Sequence, residues 1–109
     1  MENYSELLQK LIPGLVDIFG NRPIRIILYG SVARGTQTEE SDIDIAVILP
    51  SYTREMHDQM IKFVVDLELE YNRVVSVHLI DSAKFAEWED IMPFYQNVKK
   101  EGIELWPAA

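Results

Sequence analysis

The chain contains no cysteine. That removes a disulfide framework and every thiolate-based metal site. It also lacks a long apolar run: no stretch approaches the roughly 20 residues that a membrane-spanning helix needs. Positive charge is scarce, with 10 Lys and Arg against 18 Asp and Glu and a formal net charge of -8. Broad binding to nucleic acid depends on Lys and Arg neutralising phosphates. Direct nucleic-acid binding is therefore not expected, and neither is a membrane partner. The opening residues, MENYSELLQK, lack the basic and apolar regions of a signal peptide. The cytoplasm is the expected location. No internal repeat, low-complexity stretch or linker is visible.

What is present suits one compact unit. A chain of 109 residues with 48% hydrophobic content can bury a real core but has little room for a second. A single domain over 1–109 is expected. Residues 4–19 read as helix, because Leu7, Leu8, Leu11, Ile12, Leu15, Val16 and Phe19 recur at helical spacing. Pro13-Gly14 predicts a kink or break within it. Residues 24–29 and 43–49 read as strands, and a third covers 74–80. A long helix over about 54–72 has Thr53 as its cap and Met56, Met60, Phe63, Val64, Leu67 and Tyr71 as its apolar stripe. Ser82 can cap a further helix running to about Ile91. Pro93 suits the first turn of the next, which Lys99, Lys100 and Gly102 would close. Ile103 to Trp106 would dock back on the core. The order α-β-β-α-β-α-α predicts an α/β (α+β) fold: a small mixed sheet covered by helices, mainly on one face.

The chemistry concentrates between the first two strands, in LYGSVARGTQTEESDIDIAVIL, Leu28 to Leu49. Ten residues separate Gly30-Ser31 from Asp42-Ile43-Asp44. Gly30 and Gly35 allow close approach of backbone to a ligand and positive φ. Successive amides in such a turn can cradle phosphate oxygens, Ser31 adds a hydroxyl, and Arg34 a charge-assisted contact. Residues i and i+2 of a strand share a face, roughly 6.5–7 Å apart. Asp42 and Asp44 would project together while Ile43 and Ile45 face the core. Metal ions about 3.5–4 Å apart would relieve the repulsion of the pair and bridge a transferred phosphate. Each half alone also fits a plain turn or the polar face of an edge strand, with Ser41 and Asp42 shaping the turn.

Taken together, Gly30-Ser31-Val32-Ala33-Arg34-Gly35 followed by Ser41-Asp42-Ile43-Asp44-Ile45-Ala46-Val47 resembles the DNA polymerase beta-like nucleotidyltransferase superfamily. It is most similar to the minimal nucleotidyltransferases, short proteins often paired with a HEPN-domain toxin as its antitoxin. The resemblance implies that Gly30 and Ser31, with Arg34, Gly35 and Ser41 in the same motif, hold the phosphates of a nucleoside triphosphate. It implies Mg2+ bound by Asp42 and Asp44. It further implies ATP as donor and a tyrosine hydroxyl of the partner HEPN toxin as acceptor.

One part of that pattern is missing. Active members of the superfamily usually carry a third carboxylate on the strand after the long helix, yet Val74 to Ile80 contains no Asp or Glu. The alternation leaves Ser76 or His78 at that place. His78 reads as a metal ligand or general base, or as a polar residue on a partly exposed strand face. His57 falls on the polar side of the long helix. Glu68 and Glu70 precede the strand and Asp81 ends it with the wrong parity. Two functions follow: adenylyl transfer, with Asp42, Asp44 and His78 as its catalytic groups, or neutralisation of the partner by binding alone. Core packing is the default for Trp88, Tyr95 and Trp106, a partner surface the alternative.

Overall fold

The computed structural model describes residues 3–20, 24–30, 35 and 42–107. The elements run α1 (Asn3–Phe19), β1 (Arg25–Tyr29), β2 (Ile43–Leu49), α2 (Arg54–Tyr71), β3 (Val75–Asp81), α3 (Ser82–Trp88), α4 (Pro93–Glu101) and β4 (Ile103–Trp106). The strands form one mixed sheet in the order β3-β2-β1-β4. β1 is antiparallel to both β2 and β4, whereas β2 and β3 are parallel. A parallel pair needs a long crossover, which α2 supplies.

The strands alternate between two apolar surfaces. Ile26 and Leu28 of β1, Ile43, Ile45, Val47 and Leu49 of β2, and Val75 of β3 pack with Leu7, Leu11, Leu15 and Phe19 of α1 and Met60, Val64 and Leu67 of α2. The opposite parity, Ile27, Tyr29, Ala46, Ile48 and Ile80, meets Phe85 of α3 and Val98 of α4, with Tyr95 partly buried against it. The expected covering of mainly one face is thus corrected: two long helices cover one face, and two short ones cover part of the other.

Local chemistry sets most boundaries. The Thr53 hydroxyl accepts from the Met56 N–H at 3.1 Å, capping α2 as its sequence suggested. Asn72, at φ 53, ends that helix in the left-handed conformation that asparagine tolerates. α1 does not divide at Pro13-Gly14; it is one helix. Pro13 removes one backbone hydrogen bond, but the stripe of Leu7, Leu11, Leu15 and Phe19 is fully buried along its whole length and holds both halves in register. Gly14 has a packing role, because a Cβ there would overlap the Phe63 ring of α2.

Two further boundaries differ from the sequence reading. Asp81, not Ser82, caps α3, its Oδ1 accepting from the N–H groups of Ala83 at 2.9 Å and Lys84 at 3.0 Å. That helix stops at Trp88 rather than near Ile91. Ile103–Trp106 does dock back, as a fourth strand beside β1. The Arg25 guanidinium reaches both carboxylate oxygens of Glu104, at 3.0 and 3.1 Å, tying β4 to β1. Gly102 ends α4 at an ordinary φ of -70. It is glycine for room, since a Cβ would strike the Val98 carbonyl and the Ile27 side chain. Trp88 and Trp106, 37% and 38% exposed, lie outside the core, whereas Tyr95 is half-buried with its ring 5.9 Å from that of Phe85.

Candidate active site

Strand register brings the motif residues to one end of the sheet. Tyr29, the last residue of β1, pairs with Asp44 of β2, and Asp44 pairs in turn with Ser76 of β3. The next row is Ile27, Ala46 and His78. Asp42 is exposed immediately before β2, and Asp44 is half-buried within it. The parity of Asp44 is firmly set, because Ile43 and Ile45 on the other face are fully buried. A one-residue slip would drive the carboxylate into that core and both isoleucines out of it.

Gly30 follows Tyr29 with φ +80, in the region that side-chain-bearing residues rarely adopt. A Cβ there would overlap the Asp44 carboxylate. The end of β1 and the carboxylate of β2 therefore meet at Gly30, where there is no room for a side chain. Gly35 also has positive φ, +76, but no described residue stands within 4 Å of where its Cβ would be. Ser31, Arg34 and Ser41, expected to join the phosphate grip, lie outside the described residues.

The acids that might have served as a third carboxylate are committed elsewhere. The Glu68 carboxylate accepts from the Val75 N–H at 2.8 Å, joining the end of α2 to the start of β3. Glu70 pairs with Lys10 of α1. Asp81 caps α3. No group of three or more His, Cys, Asp and Glu side chains able to hold a metal occurs among the described residues. What stands beside Asp44 on β3 is the Ser76 hydroxyl, half-buried, with exposed His78 one row further along. Two carboxylates are a hard, oxygen-only donor set, which suits Mg2+ whose remaining positions are filled by water and phosphate oxygens. His57 is engaged elsewhere, its ring stacked at 6.3 Å on Tyr52 and its Nδ1 3.7 Å from Asp58.

Sequence reasoning missed an aromatic cluster on the same face. The Tyr29 and His78 rings lie 6.2 Å apart across β2, and Phe94, from the first turn of α4, sits edge-on at 5.6 Å from Tyr29 and 5.7 Å from His78. Tyr29 also feels the site electrostatically. Burial, and then the negative charge of Asp44, push its phenol up to about 12. A signal for Tyr29 existed, since it precedes Gly30 and ends the first strand. None existed for Phe94, which tertiary folding brings in from the far end of the chain.

Known proteins share the sequence pattern and the fold. The family model of the nucleotidyltransferase domain matches residues 8–104. A Methanocaldococcus jannaschii protein, provisionally named a protein adenylyltransferase, is 31% identical over 104 residues, covering 95% of this chain and 99% of its own. A second from the same organism, with the same provisional name, is 32% identical over 80 residues, 71% of this chain and 54% of its own. Among solved structures, a chain of a toxin–antitoxin structure with AMP-PNP superposes with a TM-score of 0.62 at 25% identity, covering 92% of this chain and 73% of that one. A mutant of the MntA-HpeT toxin–antitoxin pair gives a TM-score of 0.64 at 25% identity over the same shares.

Proposed function

Because the chain belongs to the nucleotidyltransferase domain family, we propose that it transfers an adenylyl group from ATP, with Mg2+, to a tyrosine hydroxyl of a HEPN-domain toxin, and so acts as that toxin's antitoxin in the cytoplasm. The observation that carries this reading is the contact of Gly30 with Asp44. Gly30, the first residue of the proposed phosphate-binding motif, lies directly against a carboxylate able to hold metal, and Asp42 precedes that carboxylate by two residues. The names of the adenylyltransferase relatives, and the toxin–antitoxin structure with AMP-PNP, support the donor and the class of partner.

In the proposed reaction the Gly30 backbone and Ser31 bind the β- and γ-phosphates. Mg2+ held by Asp42 and Asp44 would offset the charge of the phosphates and polarise the α-phosphate. The acceptor oxygen forms a bond to the α-phosphorus. The bond from that phosphorus to the bridging oxygen breaks, and pyrophosphate leaves with the electron pair. His78, exposed on the same sheet face, takes the hydroxyl proton. Catalysis rests on positioning and charge neutralisation.

A second reading is favoured by one observation: the hydroxyl of Ser76 occupies the position beside Asp44 where a carboxylate would strengthen metal binding. On that reading the chain neutralises its partner by complex formation alone. ATP labelled at the α-phosphate, Mg2+ and a HEPN toxin separate the two. Transfer of label to the toxin, abolished in Asp42→Asn and Asp44→Asn, is the expected outcome. Stoichiometric protection without label, surviving both substitutions, would overturn transfer in favour of binding.

A further inference from the structure

Across the sheet the proposed site has a direction. Gly30 ends β1, Asp44 lies on β2, and Ser76 and His78 lie on β3, with β2 in the middle. Displacement at the α-phosphorus places attacking and leaving oxygens roughly in line. If the departing phosphates rest on Gly30, they leave over β1, and the attacking hydroxyl must arrive from the β3 side. On that side no acidic side chain of β3 shares the face of Asp44. The wall is Ser76 and His78, and the ring of Phe94 stands between His78 of β3 and Tyr29 of β1, over the middle strand.

We infer that Phe94, together with His78, forms the seat that positions the acceptor side chain of this reaction and selects an aromatic hydroxyl over an aliphatic one. The inference rests on the transfer reading above and adds the residues that choose the acceptor. Phe94 is 39% exposed although it contacts three rings, so part of its surface is open to a ligand beside the carboxylate row. Its placement is firm. Pro93 fixes the first turn of α4. The Gln96 side-chain amide donates to the Asp90 carbonyl at 2.7 Å, and Lys99 bonds the Asp90 carboxylate at 2.8 Å, clamping the α3–α4 connection. The neighbouring Tyr95 ring, 5.5 Å from Phe94, is anchored on Phe85. A ring held this way offers an edge or face to a second ring at little entropic cost. As the acceptor oxygen bonds the α-phosphorus and pyrophosphate departs, the hydroxyl proton passes to His78, which Phe94 touches.

The test uses two small probes, N-acetyl-tyrosinamide and N-acetyl-serinamide, titrated into the full chain and followed by the proton resonances of the His78 and Phe94 rings. The expected result is that tyrosinamide shifts both rings and serinamide neither. Phe94→Ala should weaken tyrosinamide binding about three- to tenfold, the scale of one aromatic pair. Phe94→Leu, which keeps the apolar bulk and secures folding, should fall between. The affinity for ATP with Mg2+, measured by calorimetry, should be unchanged in both variants. Equal tyrosinamide affinity in wild type and Phe94→Ala, or no ring shifts in the wild type, overturns the inference. Loss of ATP affinity in Phe94→Ala overturns it too, assigning the ring to the nucleobase. Failure of the transfer reading shows separately, as protection of the HEPN toxin without transfer of the α-phosphate label.

Discussion

The two faces of the sheet are built by opposite rules from the same strands. On the face under α1 and α2, every described β2 residue of that parity, Ile43, Ile45, Val47 and Leu49, is at most 1% exposed. On the other face the same strand presents Asp44, Ala46 and Ile48, and only the lower part is covered, by the short helices α3 and α4. The closed face fixes register and leaves nothing for chemistry. The open face tolerates a carboxylate and a glycine at φ +80 because the closed face has already determined where the strands lie. On the proposed reading, stability and function are thus divided by strand parity rather than by region of the chain.

The sharpest way to break that division is to damage the closed face. Leu11→Ala removes a fully buried side chain, and large-to-small core changes of this kind cost about 2–5 kcal/mol. Denaturant unfolding should show a loss in that range, with residual folded protein still binding ATP and Mg2+. A loss under about 0.5 kcal/mol would mean that the helical layer is not what fixes the strands.

A smaller effect compares two glycines of like conformation. Alanine at Gly30 or Gly35 should each cost about 1–2 kcal/mol for positive φ. Gly30→Ala should cost more, because its Cβ also meets Asp44. Adding Asp44→Ala to Gly30→Ala should recover the difference in a double-mutant cycle, whereas Gly35→Ala and Asp44→Ala should be additive. Additivity at both glycines would contradict the close contact of turn and strand.

Asp44→Asn sets stability against function on the open face. Removing one of two neighbouring charges should leave the metal-free protein as stable as before, or slightly more so. On the proposed reading ATP with Mg2+ should raise the melting temperature of the wild type, and that gain should vanish in the variant. A large loss of metal-free stability would assign the aspartate a structural role instead.

The smallest expected effect lies at alkaline pH. The Tyr29 phenol is raised from 10.0 to about 12, so the folded state holds its proton more tightly than the unfolded one. That contribution is complete below pH 10 and is lost as pH climbs through about 12. Tyr29→Phe should flatten this part of the stability profile. An unaltered alkaline limb would place the effect in other groups.

How much of this was legible depended on sequence distance. β1, β2 and α2 follow local pattern and capping, and the observed spans lie within a residue of those read from periodicity. Gly30 and Asp44 belong to one short motif at adjacent antiparallel strands, so their meeting was readable. β4 was not, because four residues after a glycine become a strand only when β1 offers an edge. The Asp81 cap was missed because Asp81 and Ser82 are both good caps and only geometry chooses between them. Phe94 carried no signal, since its partners Tyr29 and His78 belong to strands formed much earlier in the chain.

Ala46 is fully buried in the middle of β2, on the face and in the row of His78. Its methyl group is the floor beneath the aromatic cluster, and it leaves almost nothing to trim away. A lineage of such proteins adapting to new acceptors would therefore find the strand nearly closed to variation at this point. Change would enter more readily at position 94, where a helix end can exchange one side chain without disturbing a strand ladder. On the proposed reading, metal and phosphate chemistry would sit on the inheritance-bound sheet and partner choice on an adjustable helix tip.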